Sequence, residues 1–392
     1  MKASESSQHY ASKLRECTNF TVREIKKVSN DIGAREMGSE AEKKTQDYIK
    51  GSMERVADDI KLQSFEYAPK ALLSVHKIDG ILMIVSAIFA IMSTLNFISG
   101  SKIIFSSIAV ILAVITLIIY FGEFVMQKGI IDFAFKKVKS DNLVFTRKAS
   151  RETKKRIVFT GYTDSAYESI YTNAFLAIID ILAKVFFALL FVTEIASFFE
   201  LILPIKIVLV VIQGLSILAF VLIIFYYNFK MPIIGSNNLT GAFSSMAVMR
   251  YMAVNDVRFE NTEVVAVALS GNTAGYKGAK ALFSDLKKDN IETLYIDVDT
   301  LADADEFSVS GNASDILLTA AKTADVKAFS KKNNSGAVVA EKMGLNAACL
   351  SAVDKKSDTY NTMNDKADKV DAKAVECGIN ILLETAFEFD NK

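Results

Sequence analysis

The chain has 392 residues, 51% of them hydrophobic, and its 45 lysines and arginines balance 45 aspartates and glutamates. Without a basic surplus there is no electrostatic footprint for nucleic acid, so no nucleic-acid partner is expected. Three scattered cysteines, Cys17, Cys349 and Cys377, give neither a disulfide framework nor a zinc knuckle, and as free thiols they fit a reducing compartment.

The first residues, MKASESSQHYASKLREC, are polar and lack the apolar core of a signal peptide, so a soluble opening segment is expected. Residues 39–57 begin with Ser39 and carry Glu42 three positions on, the spacing of a capped helix start. IKLQSFEYA then alternates as a half-buried strand does. Two uncharged runs follow, GILMIVSAIFAIMSTLNFISGS between Asp79 and Lys102, and IIFSSIAVILAVITLIIYFG between Lys102 and Glu123. Each is long enough to cross a hydrocarbon core of roughly 30 Å at about 1.5 Å per residue. Together they predict a transmembrane hairpin over residues 79–128.

DNLVFTRKA and KRIVFTGYTD predict two strands joined by a charged turn. A third apolar run, about 175–200, carries Asp180, Lys184 and Glu194, and a fourth, IVLVVIQGLSILAFVLIIFYYNF, is free of charge between Lys206 and Lys230. They predict a second hairpin over 174–229. Asp180 and Lys184 have the i, i+4 spacing that lets them pair on one helix face, and Glu194 is expected to face partner helices or the far interface.

Beyond the second hairpin, TGAFSSMAVMRYMAV predicts a helix opening in small residues. TEVVAVALSG reads as a central strand covered on both faces. AGYKGAKALFSDLKK, ETLYIDVDTL, ILLTAAKTA, AACLSAV and AKAVECGINILLETAFEF predict helix, strand, helix, strand and a closing helix. The alternation indicates an α/β fold, a mostly parallel mixed sheet with helices on both faces. It would be assembled from residues 1–75, 130–172 and 231–392, interrupted by the two hairpins.

Lysines and arginines crowd the polar ends of the apolar runs, while the links inside the hairpins carry only Lys102 and Lys206. The positive-inside bias therefore predicts a multi-pass protein of the cell membrane, in contact with the lipid bilayer, with both termini and the soluble domain in the cytoplasm. On that side the Asn-x-Ser/Thr sequences at Asn19, Asn238, Asn312 and Asn333 are irrelevant as glycosylation acceptors.

Several stretches resemble, in order, the motifs of the zinc-dependent exopeptidases, the family of aminopeptidases, glutamate carboxypeptidase and the transferrin receptor. IGAREMGSEAEKKTQDYI is similar to the family's opening helix, and RIVFTGYTDSAYE, GSNNLTGAFSSMAVM, VAVALSGNTAGYKGAKAL, LYIDVDTL and DTYNTMNDKADKVD follow. The resemblance implies a two-zinc site, and each position can be followed. The family's Gly-His-x-Asp-Ser, whose histidine binds zinc and whose aspartate orients it, is here Gly161, Tyr162, Thr163, Asp164, Ser165. The aspartate bridging both metals is matched by Asn237, flanked by Asn238 and Gly241. The general-base glutamate and the liganding glutamate beside it fall on Asn272 and Thr273, within SGNTAGYKGAKAL. An aspartate ligand is kept at Asp299, and the histidine of the last motif is Asn361, between Tyr360 and Thr362. His9 and His76, the two histidines of the chain, lie outside every motif.

Zinc takes imidazole, thiolate or carboxylate ligands. A neutral amide is a poor substitute, and a phenol with an ordinary pKa of about 10 stays protonated at neutral pH. Asn272 accepts no proton, and loss of a general base alone costs about 10²–10⁴ in rate. The family frame is kept while its catalytic and metal-binding groups are lost, so no catalytic residue, no metal ligand set and no cofactor is expected. A vestigial cleft of Tyr162, Asp164, Asn237, Asn272, Thr273, Asp299 and Asn361 is expected at the carboxyl ends of the strands, taking a peptide end or a partner protein. Three alternatives stay open: a working membrane-bound metallo-aminopeptidase with atypical ligands; a hard-cation site from Asp164, Asp297, Asp299 and Asp365; and a small transporter using Glu194 or Asp180.

Overall fold

The structure, a computed structural model, describes residues 2–126, 128–168, 173–225, 232–289, 291–332, 335–354 and 357–392. Lys230 and Asn333, and the expected segment borders at 172 and 231, lie outside the described residues. In chain order the elements are α1 (Tyr10–Asp31), α2 (Glu40–Met53), β1 (Asp59–Tyr67), α3 (Pro69–Thr94), α4 (Lys102–Ile119), β2 (Val138–Arg147) and β3 (Lys155–Tyr162). Then come α5 (Asn173–Ala196), α6 (Leu203–Ile224), α7 (Leu239–Val254), β4 (Thr262–Leu269), α8 (Lys277–Leu286), β5 (Glu292–Leu301) and β6 (Phe307–Ser310). The chain ends with α9 (Ser314–Thr323), β7 (Phe329–Ser330), α10 (Gly336–Lys342), β8 (Asn346–Ala352) and α11 (Ala372–Asn391). The chain divides into two compact units, Met1–Tyr67 with Val138–Tyr167 and Pro232–Lys392, and Ala68–Lys137 with Glu168–Met231.

The first unit is built on an eight-stranded sheet in the order β1-β2-β4-β3-β5-β8-β6-β7. Its centre, β4, β3, β5 and β8, is parallel. The antiparallel pairs are β1 with β2, β2 with β4, and β6 with β8. Ile157 in the middle of β3 stands opposite Val264 on one side and Leu294 on the other. The period of two along a strand sends neighbours to opposite faces. Ile157 and Phe159 pack with Val248, Met252 and Leu382, from α7 and α11, whereas Val158 packs with Leu282, Phe283 and Val339, from α8 and α10. Both faces are thus covered, which is why β4 can be apolar without alternation. Helix α7 is buried from Leu239 to Met249, as a helix without a polar stripe must be.

The second unit contains α3, α4, α5 and α6. Three helices, Pro69–Thr94, Lys102–Val125 and Leu203–Ile224, are long and apolar enough to cross a membrane by length and composition. The third apolar run is also one helix, α5, but it holds Asp180, Lys184 and Glu194. Asp180 and Lys184 pair at 2.7 Å. Glu194 is buried, with Ser86 Oγ of α3 at 2.5 Å from Oε1. Ser106 bridges Ser93 and Ser197 at 2.6 and 2.8 Å, so hydroxyls join the helices where backbones approach. The first apolar helix opens at Pro69, whose fixed φ suits a helix start, and residues 69–75 therefore belong to this unit and not to the sheet-bearing one.

Candidate functional site

A buried cation joins the three chain segments of the first unit. Arg35 is 0% exposed. Its guanidinium donates to the carbonyls of Gly33 (2.8 Å), Thr163 (2.7 Å), Ile234 (2.8 Å) and Gly235 (2.8 Å). Its backbone amide donates to Ser165 Oγ at 3.0 Å, and its carbonyl accepts from the Ser165 amide at 2.8 Å. The planar fork of arginine suits several fixed carbonyls at once. Burial lowers its pKa to about 10, against the opposing pull of Asp365, Asp164 and Glu42. An arginine in a short loop ordinarily reads as exposed, so Arg35 carried no signal in the sequence.

Glycines bring the carboxyl ends of β3 and β5 against the start of α7. A Cβ on Gly161 would overlap the backbone of Gly241 and Ala242, and a Cβ on Gly241 would overlap the carbonyl of Val298. Gly278 is pressed in the same way on the carbonyl of Ser270, after β4. The sequence-predicted site residues are carried on this frame.

Tyr162 ends β3, and its hydroxyl donates to Asp299 Oδ1 of β5 at 3.0 Å. Thr300 Oγ1 lies 3.2 Å from the same hydroxyl, and Ser351 Oγ donates to Asp299 Oδ2 at 3.4 Å. Asp164 accepts from the amides of Asn272 (3.2 Å) and Thr273 (2.8 Å) and from Thr273 Oγ1 (2.5 Å). Asn237 donates its amide to Asp365 Oδ1 at 2.9 Å, and its carbonyl accepts from Thr240 Oγ1 at 2.6 Å. Asn361 lies at φ +53°, in the left-handed region that asparagine tolerates, next to Tyr360 in the chain. The seven residues therefore form a Tyr162–Asp299 pair, an Asp164–Asn272–Thr273 set, an Asn237–Asp365 pair and Asn361 beside Tyr360. Arg35 links the second and third sets through the Thr163 and Gly235 carbonyls and the charges of Asp164 and Asp365.

Burial raises the acidic groups around this frame. Glu42 is pushed up to about 7 by burial and then by the charge of Asp164, while Ser270 and the Gly38 amide hold it back. Asp164 is raised by burial against the pull of its three donors. Asp297 is raised to about 7 by burial and by Asp299, and Asp365 to about 6 by burial against its donors and Arg35. The Tyr162 phenol goes well above its ordinary value, through burial and the adjacent Asp299. Glu42 also departs from the capping box in detail, reaching the Gly38 amide at 2.7 Å while Ser39 Oγ caps the Glu42 amide at 3.2 Å.

This donor set does not fit a pair of zinc ions. Tyr162 is held as a neutral phenol, Asn237, Asn272 and Asn361 are amides, Thr273 is a hydroxyl, and Asp299 is already engaged by two hydroxyls. Among the described residues no three His, Cys, Asp or Glu side chains form a group that can hold a metal ion. Asp164, Asp297, Asp299 and Asp365 thus do not gather into a hard-cation site. Among the described residues of the predicted cleft, Asn237 Oδ1 and Asn272 Oδ1 are buried acceptors with no donor.

No family model matches the chain, and neither does any curated protein. Solved structures do. A zinc aminopeptidase from Bacillus subtilis superposes with a TM-score of 0.55 at 13% identity, over 95% of each chain. An aminopeptidase from Aneurinibacillus sp. strain AM-1 gives 0.56 at 12%, over 96% of this chain and 95% of that one. A glutaminyl cyclase from Fimbriiglobus ruber gives 0.54 at 14%, over 94% of each. At such identities the likeness concerns the fold alone: the chain has a zinc-exopeptidase-like α/β fold shared with bacterial aminopeptidases and glutaminyl cyclases.

Proposed function

We propose that the chain is a multi-pass membrane protein whose exopeptidase-like domain binds a peptide end or a partner protein and does not hydrolyse peptides. The observation that carries this reading is the hydrogen bond from Tyr162 to Asp299. A phenol stands at the family's histidine position, and its proton is directed at the one metal-ligand aspartate the chain retains. At the general-base position Asn272 accepts no proton, and Asp164, instead of orienting a histidine, holds the turn at Asn272 and Thr273.

The membrane part of the proposal rests on the apolar helices and on the connectivity of the sheet. β3 and β4 are hydrogen-bonded neighbours, yet α5 and α6 lie between them in the chain. The chain returns to the side it left only by an even number of crossings, so α6 as a span requires α5 as another. With α3 and α4 this gives four spans, in which the interior of the bundle takes up Glu194. The lysine and arginine asymmetry favours a cytoplasmic soluble domain with both termini on that side.

The test is a metal and activity measurement on the full chain purified in the presence of zinc. We expect less than one tightly held zinc per chain and no release of amino acids from peptides. Two metal equivalents with chelator-sensitive aminopeptidase activity would establish the working metallopeptidase instead.

A further inference from the structure

The second unit has a partly open cavity of about 310 Å³ between α3, α4, α5 and α6. Its wall is mostly apolar, with Met83, Leu117, Phe187, Phe220 and Ile223. Into this wall α3 also brings Asp79, which is 8% exposed and whose Oδ1 is buried without a hydrogen-bond partner. The other buried carboxyls of the unit each have at least one donor, although Glu194 Oε2 is likewise without a partner. Glu123 holds the Ile131 amide at 2.6 Å, and Glu194 has Ser86 Oγ at 2.5 Å.

The remaining ionisable groups of the wall do not answer Asp79. Lys184 is paired with Asp180 one turn away, so their charges cancel locally. His76 sets its ring edge-on to Phe124 at 5.2 Å between centroids. Thr116, also in the wall, donates its hydroxyl to the Leu112 carbonyl at 3.0 Å. A carboxyl withdrawn from water with neither donor nor counter-charge is costly, and the cost is relieved when a cation meets it. The volume is at the lower end for small-molecule sites, which combine an apolar wall with a few placed polar groups. A bare divalent cation would find too few oxygen ligands here.

We propose that this cavity is a binding site for an amphiphilic cation, a compact apolar body bearing one protonated amine that pairs with Asp79. The proposal concerns the helical unit and stands independently of what the sheet-bearing unit binds. A neutral amphiphile of the same shape satisfies the wall and leaves the carboxyl unpaired, so it binds more weakly.

The test is titration calorimetry of the full chain in a neutral detergent at neutral pH, with decylamine and, separately, decanol. Decylamine is expected to bind saturably, with about one site per chain, and decanol about tenfold or more weakly. Asp79→Asn should weaken decylamine to the level of decanol, and Ala183→Phe, which fills the cavity, should abolish both. Equal affinity for the amine and the alcohol, no saturable amine binding, or amine binding unchanged in Asp79→Asn would each overturn the proposal. The comparison of amine with alcohol uses the unmodified chain, so it decides even where Asp79→Asn fails to fold.

Discussion

The hydroxyl of Tyr162 donates to Asp299 Oδ1 across 3.0 Å, joining the carboxyl end of β3 to that of β5. Both side chains are thereby committed to each other. Tyr162→Phe removes the donor and leaves Asp299 with Ser351 at 3.4 Å. We expect a loss of about 1–2 kcal/mol of stability, the usual cost of orphaning a partly buried acceptor, read as a lower melting temperature without change in metal content. An unchanged melting temperature would mean that this bond contributes nothing to the frame.

The buried carboxyls set a pH dependence of definite sign. Glu42 and Asp297 are raised to about 7 and Asp365 to about 6, above their ordinary values in the unfolded chain. The folded state then holds protons that the unfolded state has released, so stability falls as pH rises between about 4 and about 7 and levels off above. Thermal melts across this window should decline with pH. Glu42→Gln removes one of these titrations, and its melting temperature should depend less steeply on pH. A melting temperature that climbs from pH 5 to about pH 7 would contradict the burial of these groups.

Arg35→Met should be among the most damaging single changes in the sheet-bearing unit. It deletes guanidinium bonds to four carbonyls on all three segments and leaves Asp365 and Asp164 without their nearest cation. The expected loss is about 3–5 kcal/mol, as when one partner of a buried charge network is removed. Arg35→Lys, with a point charge in place of a fork, should recover only part of it. Yield of folded protein and thermal melts distinguish the three chains.

Topology is checked by cysteine accessibility in intact cells. Single cysteines at Ser99 or Ser101, between α3 and α4, should react with an impermeant thiol reagent from outside, in a chain whose own cysteines have been replaced. A cysteine at Lys331 should react only after the cells are opened. External labelling at Lys331 would reverse or break the four-span arrangement.

The sheet was legible where burial on both faces writes itself as an unbroken apolar run, as in TEVVAVAL; in DIKLQSFEY the alternation marks a strand but misplaces its faces, since Leu62 is exposed and Gln63 buried. It was not legible at β6 and β7. FSVS and FS are too short to carry a period, and they exist as strands only because β8 offers an edge to β6. Helix α1 was missed for another reason. Its buried stripe of Leu14, Cys17, Thr18, Thr21, Ile25 and Val28 is partly hydroxylic, and charged residues fill the turns between. At the site, order and spacing alone picked out Tyr162, Asp164, Asn237, Asn272, Thr273, Asp299 and Asn361 as candidates. The attachments of Asp164 and Asp299 could not be read, because a side chain's hydrogen-bond partners in other segments are a property of the assembled sheet. Arg35 is the extreme case, since its burial follows from carbonyls at positions 163, 234 and 235 that no local pattern connects to it.

β2 and β3 follow each other in the chain, yet β4 lies between them in the sheet. During synthesis, then, the piece from Val138 to Tyr167 emerges with a gap in its middle that only Thr262–Leu269 fills, about a hundred residues later. Until that strand arrives, β2 has one finished edge against β1, and β3 has none. The ribosome must therefore deliver both apolar helix pairs before the sheet can close, and a chain stopped short of β4 carries open strand edges of the kind that aggregate and attract quality control.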